Sequence, residues 1–474
     1  MLVNFMNYVI LVNKENPIKD KYFKYLELEK CVDIFGSEKK LEKNTLIAFN
    51  SLKDYLSSMN IEIGIHSAYR SKEEQQNIID EFKKKYGNEY TSKFVAPIRV
   101  SEHHTALAID LSIKKDGKFL EDNDDLFANE EVFKEISKHL NKFGFILRYP
   151  KGKEKITGYN YEPWHIRYVG IVPASIIYQN NLTLEEYLNE FSGVLLVNKE
   201  KDMTSRDVVN HVSRILGIKK IGHTGTLDPL ATGVLVLTIG RATKLGEMLT
   251  SKEKEYIASV DIGYLTDTLD NTGNVIKEKA LTRKIDYKKL LTSFNKTYLQ
   301  EVPIYSAVKV NGKKLYEYAR EGKSIELPKK EVTIKKLKLL DSMDNSFKFE
   351  CLVSKGTYIR SLIRDIGLSI NEYFTMTNLK RTKQGGFSID NSYTLKEIEE
   401  NNFKILSVDE VLDYKTIIAS GNLLKKVSNG VKIKNVWNIS DRVIFKDSDN
   451  KLLVIYIKDG KDLKVDKMLY NTFI

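Results

Sequence analysis

Residues 222–244 read GHTGTLDPLATGVLVLTIGRATK and join a glycine-rich loop to an apolar strand. The glycines and Pro229 predict a tight, preformed loop, and they place one carboxylate, Asp228, at its centre. An Asp in such a loop usually accepts hydrogen bonds from turn amides, whereas in a functional loop it carries chemistry. The residues of this loop alone leave both interpretations open.

Four further motifs surround the loop in order along the chain. They are GVLLVNKEKDMTSRDVV from residue 193, KEYIASVDIGYLTDTLDNTGNV from 254, VPIYSAVKVNGKKLYEYAREG from 302 and SKGTYIRSLIRDIG from 354. With the loop, they resemble the tRNA pseudouridine synthase B family from about Gly193 to Phe387. The resemblance implies an enzyme that isomerises uridine-55 in the TΨC stem-loop of tRNA to pseudouridine, with no metal or organic cofactor in this half.

The same resemblance assigns roles to individual residues. Asp228 corresponds to the nucleophile, which attacks either the sugar or the base. Arg360 corresponds to the arginine that pairs with it and keeps the carboxylate ionised. Because a stacked uridine must first be flipped out of its helix, aromatic and apolar side chains are needed to hold it. The residues implied for nucleotide binding are Tyr256 for stacking, Tyr358 and Leu379 for the uracil pocket, and His223 for the displaced nucleotide.

Charge divides the 474-residue chain into two unlike parts. Of the formal net charge of +11, residues 1–190 contribute −2 and the remainder contributes +13. An excess of Lys and Arg confined to one part predicts that this part meets a polyanion, and tRNA phosphates fit that expectation. The alternative is that a Lys-rich surface only keeps the protein solvated.

A second group of chemistry-bearing side chains lies in the first part. His103 and Asp110 occur in SEHHTALAIDLS, and His165 follows Glu162 by three residues in YEPWHIRYVG. Two imidazoles and one carboxylate suffice for a catalytic zinc with an open fourth position. Glu162 then suits the base that acts on a metal-bound water, and Arg70 in SAYRSKEEQQ suits an oxyanion stabiliser. Each histidine alone is more often structural.

Residues 8–172 resemble the D-alanyl-D-alanine carboxypeptidase family of zinc peptidases, the VanY-like group. The family pattern is S-x-H-x-x-G-x-A-x-D followed by E-x-W-H, and the stretch FGFILRYPKGKEKITGYNYEPWHIRYVG, which contains EPWH, resembles the family nearly residue for residue. The resemblance implies a D-Ala-D-Ala-containing peptide or dipeptide as substrate. It implies His103, Asp110 and His165 as Zn²⁺ ligands, Glu162 as catalytic base and Arg70 as transition-state stabiliser. One departure is Ala106, which stands where the family has glycine.

Length and patterning predict an α+β protein of three domains. A single core rarely grows beyond about 300 residues. We expect a VanY-like domain over 1–190, a pseudouridine synthase domain with a mixed central sheet over 193–400, and a small β-rich tRNA-binding domain over 401–474. In the last, VSNGVKIK, DRVIFKD and KLLVIYIKDG are predicted strands.

Composition excludes several classes of protein. Cys31 and Cys351 are the only cysteines, so a disulfide framework or a cysteine-ligated zinc site is not expected. No run reaches the roughly 18–20 apolar residues of a membrane span. The apolar start MLVNFMNYVILVNKENP lacks a basic n-region, so it predicts a strand rather than a signal peptide. We therefore expect a cytoplasmic protein, with no membrane and no protein partner implied.

The leading interpretation is a fused, two-enzyme chain. An alternative is a tRNA pseudouridine synthase with a non-catalytic peptide- or metal-binding N-terminal appendage. A third is that two adjacent genes were joined by a lost stop codon or by an error in gene prediction. Zinc stoichiometry and peptide hydrolysis separate the first two, and the size of the chain in a cell lysate tests the third.

Overall fold

A computed structural model describes residues 6–250 and 253–470, without the side chains of Tyr90 and residues 92–94. The chain forms two compact units. The first runs to Phe191 and includes Ser213–Lys219 and Glu399–Asn402, and the second contains Ser192–Val212, Lys220–Ile398 and the chain from Phe403 onward.

The first unit mixes helices and strands. Its strands are β1 (Leu28–Val32), β2 (Glu38–Glu42), β3 (Ile63–Ser67), β4 (Ala108–Lys115), β5 (Lys118–Phe119), β6 (Phe145–Tyr149) and β7 (Glu162–Tyr168). Its helices are α1 (Lys43–Ser57), α2 (Lys72–Phe94), α3 (Asn123–Ala128), α4 (Glu130–Ser137), α5 (Glu154–Thr157), α6 (Ile171–Gln179) and α7 (Leu184–Asn189). Short 3-10 turns occupy Asp20–Tyr25, Glu102–Thr105 and Leu140–Phe143.

An antiparallel sheet of order β3-β4-β7-β6, with β5 on β4, organises this unit. Helix α1 covers it through Phe49, Leu52 and Leu56, which recur at the spacing of one helix face and pack with Leu111 and Ile166 of the sheet. Each such side chain contributes about 1.5–3 kcal/mol when fully buried. The sheet is therefore a rigid support for side chains on its strands.

The apolar start of the chain is not the strand that its sequence predicts. Its first five residues lie outside the described part, and residues 6–16 contain only an isolated bridge between Asn13 and Asn16. The physical reason is that Arg167 Nη2 donates hydrogen bonds to the carbonyls of Tyr8, at 3.1 Å, and Ile10, at 2.8 Å. A buried side chain replaces the neighbouring strand as hydrogen-bond partner.

From Ser192 to Asn402 the chain is again mixed. Its strands are β8 (Gly193–Lys199), β9 (Ile221–His223), β10 (Thr232–Ile239), β11 (Lys254–Ile262), β12 (Tyr264–Thr266), β13 (Val275–Glu278), β14 (Thr297–Glu301), β15 (Lys309–Val310), β16 (Lys313–Lys314), β17 (Lys329–Met343), β18 (Ser346–Val353), β19 (Phe374–Gln384) and β20 (Phe387–Ser388). Its helices are α8 (Ser205–Leu216), α9 (Gly246–Thr250), α10 (Tyr287–Thr292), α11 (Leu315–Arg320), α12 (Ile359–Ser369) and α13 (Leu395–Glu399).

The main sheet of the second unit has nine strands in the order β14-β17-β18-β11-β19-β10-β8, with β20 on β19 and β9 on β10. The pair β10–β19 is parallel and its neighbours are antiparallel, which confirms the predicted mixed sheet. At Gly233, φ is +103° and an added Cβ would lie 2.2 Å from the carbonyl oxygen of Arg381. Only glycine allows β10 and β19 to approach so closely just after the Asp228 loop.

The C-terminal part adds α14 (Val408–Val411), α15 (Gly421–Ser428), β21 (Lys415–Ile418), β22 (Ile433–Lys434), β23 (Arg442–Lys446), β24 (Leu452–Asp459) and β25 (Asp462–Met468). The five strands form one sheet in the order β21-β23-β24-β25-β22. Side chains of β23 and β24, Ile444 and Ile455, share a core with Val194 and Val234 of the main sheet. The two predicted strands DRVIFKD and KLLVIYIKDG are present as β23 and β24.

The predicted strand VSNGVKIK is wrong for most of its length. Its first two residues, Val427 and Ser428, end α15, and only Ile433 and Lys434 are extended in β22. Val427 is fully buried from the helix side, so tertiary packing overrides the β preference of a short apolar run. The α+β class and the strand-rich C-terminal part are nevertheless confirmed.

Within the described residues, no helix is both long enough and apolar enough to cross a bilayer.

Candidate functional sites

Asp228 lies in the loop between β9 and β10, and a buried arginine holds its carboxylate. Arg360 Nη2 is 2.8 Å from Asp228 Oδ2, and the Asp228 side chain keeps 37% of its surface exposed while that of Arg360 keeps 6%. A charge-assisted bond of this kind is strong and directional. The arrangement therefore holds a solvent-facing carboxylate in a fixed position.

Three other groups fix the Arg360 guanidinium. Its Nη1 donates to the carbonyl of Thr268 at 2.8 Å, and its Nη2 donates to the carbonyl of Tyr305 at 3.0 Å. The carboxylate of Asp270, which is buried, lies 3.7 Å from Nη1. Arg360 is therefore a hub that joins the loop of Asp228 to two other loops.

Two tyrosines lie near this carboxylate. Burial raises the pKa of Tyr256 and of Tyr358, and the negative charge of Asp228 adds to both shifts. Tyr256 on β11 pairs in register with Arg381 of β19, and Leu379 lies two residues earlier on β19, opposite Ala258. The structure thus brings Asp228, Arg360, Tyr256 and Tyr358 together, with Leu379 on the adjoining strand.

His223 ends β9, just before the loop. Burial lowers the pKa of its imidazole, and the nearby charges of Arg381 and Arg206 lower it further. Its Nδ1 is buried and has no hydrogen-bond partner among the described residues. A neutral imidazole at pH 7 follows, linked to the site through Arg381 rather than through Asp228.

The loop that carries Asp228 is clamped by two buried cations. Arg381 Nε donates to the carbonyl of Val234 at 2.8 Å, and its Nη2 donates to that of Gly225 at 3.0 Å, so one guanidinium holds both ends of the loop. Lys199 Nζ donates to the carbonyls of Glu200, Met203 and Pro229 at 2.6–3.2 Å. The clamp positions Asp228 before any substrate binds.

The second site lies in the first unit, where β4 and β7 pair. Asp110 stands directly opposite His165 in the antiparallel register. Asp110 Oδ1 is 2.9 Å from His165 Nδ1, and Asp110 Oδ2 is 3.1 Å from Nε2 of His103, which lies in the 3-10 turn before β4. Sheet register brings Asp110 and His165 together, and the turn before β4 adds His103.

The oxyanion candidate, Arg70, borders the same group. Its Nη2 donates to Asp110 Oδ2 at 3.1 Å, and its Nε and Nη2 both donate to Ser67 Oγ at 3.1 and 3.0 Å. His104 Nδ1 donates to the carbonyl of Arg70 at 2.8 Å, which fixes the backbone as well. Two side chains, Ser67 and Asp110, therefore hold the guanidinium, and a third, His104, holds the backbone.

Glu162 begins β7 beside these groups. Its Oε2 is 3.4 Å from His165 Nδ1. Burial raises the pKa of its carboxyl to about 7. A carboxyl that titrates near neutrality is suited to accept and return a proton under physiological conditions.

The three residues His103, Asp110 and His165 fit a divalent metal. Their ligand atoms lie within 4.8 Å of one another, and they are the one such group in the described part of the chain. His103 Nδ1 donates to the carbonyl of Ala68 at 2.7 Å, so its Nε2 lone pair points toward the carboxylate. Burial lowers the pKa of His103 to about 4, which keeps the imidazole neutral as a ligand. A set of two nitrogens and one carboxylate oxygen suits zinc.

Next to this site lies a buried ion cluster. The cluster consists of Glu102, Arg148, Arg167 and Glu185. Glu102 Oε1 is 2.8 Å from both Arg148 Nε and Arg167 Nη1. Arg148 also makes a two-pronged contact with Glu185 at 3.0 and 2.7 Å. Because Glu102 precedes His103 and Arg167 follows His165 by two, the cluster ties together the two segments that carry the histidines.

Two family models match separate parts of the chain. Residues 213–359 match the TruB family pseudouridylate synthase N-terminal domain, and residues 38–171 match D-alanyl-D-alanine carboxypeptidase. The chain is 42% identical over 293 residues to tRNA pseudouridine synthase B of Lactobacillus acidophilus, which covers 59% of this chain and 98% of the relative. The chain belongs to the tRNA pseudouridine synthase B family.

Two further matches extend the comparison. The synthase B of Fusobacterium nucleatum subsp. nucleatum is 45% identical over 272 residues, covering 54% of this chain and 92% of the relative. A solved vancomycin-resistance D,D-pentapeptidase in complex with Zn(II) is 35% identical, covers 38% of this chain and 99% of that chain, and has a TM-score of 0.33. The two family matches confirm the predicted combination of a synthase B part and a VanY-like part.

Several buried residues of the synthase B part escaped the sequence analysis. Lys199 and Asp270 lie inside motifs that were recognised, yet nothing in their neighbours marks them as buried. Arg381 stands in the polar run TNLKRTK, where no pattern separates it from the adjacent lysine.

The VanY-like part departs from its pattern at Ala106, and the structure shows why glycine is usual there. The φ of Ala106 is +59°, a left-handed conformation that costs an L-residue about 1–2 kcal/mol. Its N–H donates to the carbonyl of His103 at 3.2 Å and closes the turn after Glu102–Thr105. His103 still reaches Asp110, so the chain accommodates the extra methyl group.

We expect Glu102→Gln to lower the free energy of unfolding of the first unit by about 3–5 kcal/mol, because two buried guanidiniums lose their shared anion. Burial alone would raise the pKa of Glu102, but Arg148 and Arg167 hold it at about 2. Since this is below the ordinary value of 4.5, the stabilisation is complete above pH 4.5 and is lost as the pH falls toward 2. The difference in free energy of unfolding between the variant and the wild type should therefore become smaller as the pH falls from 4.5 toward 2.

The measurement is urea unfolding followed by Trp164 fluorescence in a Trp437→Phe background, since these are the two tryptophans. Glu62→Gln is the matched control, because its pair with Lys114 is exposed and is worth at most about 1 kcal/mol. Equal effects of the two substitutions would show that the cluster does not stabilise the unit.

Proposed function

We propose that the chain carries two enzymatic activities in the cytoplasm. The second unit forms pseudouridine at position 55 of tRNA, and the first unit removes the terminal D-alanine from D-Ala-D-Ala peptides with Zn²⁺. The observation that supports the first activity is the 2.8 Å pair of Asp228 and Arg360 on a clamped loop. The observation that supports the second is the contact of the Asp110 carboxylate with His103 and, across the strand pair, with His165.

For pseudouridine formation, Asp228 is the nucleophile, and its bond to the nucleoside forms and breaks again within the reaction. The C1′–N1 bond breaks and the C1′–C5 bond forms within one nucleoside, while the proton on C5 leaves and N1 gains a proton. Arg360 holds the Asp228 carboxylate in place through the 2.8 Å pair. Tyr256 and Tyr358 hold the flipped uracil with Leu379, and His223 contacts the displaced nucleotide. Because bond breaking and bond making occur on the same substrate, the protein must hold the detached base in place, which a pocket of buried rings does.

Binding of tRNA rests on charge as well as on this pocket. The net charge of +13 beyond residue 190 supplies attraction to phosphates that weakens as salt rises. The domains that we propose are 1–190 for the peptidase, 193–400 for synthase catalysis and 401–474 for tRNA binding. The shared core of Ile444 and Ile455 with the main sheet supports the last two acting as one body.

For peptide hydrolysis, His103, Asp110 and His165 would hold the zinc, which when bound lowers the pKa of a coordinated water and polarises the carbonyl. Glu162 accepts a proton at its carboxylate and returns it to the leaving amine. Arg70, fixed by Ser67 and His104, donates to the developing oxyanion. D-Ala-D-Ala is the substrate class that the family match and this donor set support.

The test uses the purified full-length chain, assayed for zinc content, for D-alanine release from a D-Ala-D-Ala peptide and for pseudouridine in a tRNA transcript. We expect one zinc per chain, and we expect chelator to stop D-alanine release while pseudouridine formation continues. Restoration by added Zn²⁺ is the control for chelator damage. Release of D-alanine that survives complete zinc removal would contradict the metal mechanism.

The alternative of a non-catalytic appendage makes a different prediction in the same assay. It expects no D-alanine release from the zinc-loaded chain, with pseudouridine formation intact. Intact tRNA modification in that sample would show that the protein is folded, so inactivity of the first unit would be a property of its site.

A further inference from the structure

Gln300 is a buried polar residue that belongs to neither of the two sites described above. It lies on β14, the edge strand of the main sheet, and it is 1% exposed. Its Oε1 accepts a hydrogen bond from the backbone N–H of Tyr358 at 2.8 Å, and its Nε2 donates to the backbone carbonyl of Tyr358 at 3.2 Å. One side-chain amide thus satisfies both backbone groups of a single residue, as a neighbouring strand would.

The residue that Gln300 grips is the one just before α12. Tyr358 is the N-cap of that helix, and its own side chain makes no capping hydrogen bond within the described part of the chain. Its carbonyl also accepts the first helical bond, from the N–H of Leu362 at 2.9 Å. The place where the helix begins is therefore set by Gln300, and Arg360 lies in the first turn.

Other bonds between β14 and α12 act further along the helix. Ser361 Oγ donates to the carbonyl of Glu301 at 2.8 Å, and Arg364 pairs with the Glu301 carboxylate at 2.9 Å. Tyr298 donates to Asp365 at 3.1 Å and accepts from Gln300 Nε2 at 2.9 Å. These contacts hold residues within α12. Of the β14 residues named here, Gln300 is the one that holds Tyr358, the residue before the helix.

We propose that Gln300 is a positioning residue for pseudouridine formation, because it fixes Tyr358 and, through the first turn of α12, the guanidinium of Arg360 against Asp228. The inference rests on the proposed function. Chemistry singles out an amide at this place, since the N–H and the carbonyl of Tyr358 need one acceptor and one donor. An ionised carboxylate supplies only the acceptor, and a thioether of similar length supplies only a weak acceptor.

The test is single-turnover pseudouridine formation by the full chain with excess enzyme, alongside the Kd for tRNA. We expect Gln300→Met to lower the rate roughly 10- to 100-fold, since small misplacements cost that much, while the Kd stays within about twofold. Gln300→Glu should fall between Met and wild type. Leu299→Thr is the matched control, because Leu299 is the adjacent residue of β14 and is 64% exposed, and its rate should be unchanged.

A double substitution separates positioning from general stability. If Gln300 acts through Arg360, adding Gln300→Met to Arg360→Lys should cost much less than it does in the wild type. A wild-type rate in Gln300→Met, additive losses in the double variant, or a rise in Kd equal to the loss of rate would each overturn the positioning role alone. A wild-type chain that formed no pseudouridine would overturn the proposed function and this role with it.

Discussion

Asp228→Asn is expected to abolish pseudouridine formation, with a loss of single-turnover rate on the order of 10⁴-fold or more. The amide has nearly the size of the carboxylate but is neither charged nor nucleophilic. The loop should keep its shape, because Arg381 and Lys199 clamp it through backbone carbonyls, which the substitution leaves in place. Binding of tRNA should therefore persist, at a Kd close to that of the wild type.

The measurement pairs the rate with filter binding of the same tRNA transcript. Asp413→Asn is the control, since Asp413 is exposed and belongs to the same unit, and its loss of one negative charge is identical. A loss of binding as large as the loss of rate would argue that Asp228 shapes the RNA surface and is not the nucleophile.

The second large effect is expected at the other site. Glu162→Gln should lower D-alanine release by roughly 10²- to 10⁴-fold, the range for loss of a general base. Zinc content should remain at one per chain, because Glu162 is not among the three proposed ligands. Glu131→Gln is the control, since its side chain is 86% exposed on α4.

Two results would contradict the role of Glu162. Retained turnover would show that another group moves the proton. Loss of zinc together with loss of turnover would make Glu162 part of the metal environment. Measuring metal content and kinetics on one preparation separates these two outcomes, and tRNA modification in the same preparation reports that the chain is folded.

Local motifs carried most of what the sequence could predict. The loop around Asp228 and the motif SKGTYIRSLIRDIG are each contiguous, so both could be recognised, and the family resemblance that they carry implied the pair of Asp228 and Arg360. The three proposed zinc ligands lie in two such motifs. The contact of Asp110 with His165 depends on the antiparallel register of β4 and β7, which alternating apolar residues already favour, and His103 lies in the turn just before β4.

Contacts between segments that lie far apart in the chain could not be predicted from the sequence. Arg381 holds the loop of Asp228 from about 150 residues away, and Gln300 grips Tyr358 across 58 residues. The local sequence predicts neither interaction, because a polar residue of any kind is common on an edge strand or near the end of a strand. The missing strand at residues 6–16 has the same cause, since its carbonyls bond to the distant Arg167.

The buried ion cluster indicates how long a segment of the chain must be for the first unit to fold. Its cations are Arg148 and Arg167, yet their partners include Glu185 and the carbonyls of Tyr8 and Ile10, all outside the 38–171 segment that matches the family model. A fragment cut to that segment would keep every proposed catalytic residue, but Arg148 would lose Glu185 and Arg167 would lose two backbone acceptors, so that of these partners both guanidiniums would share Glu102 alone. We therefore expect a stable peptidase part to need the longer stretch from about residue 8 to 190.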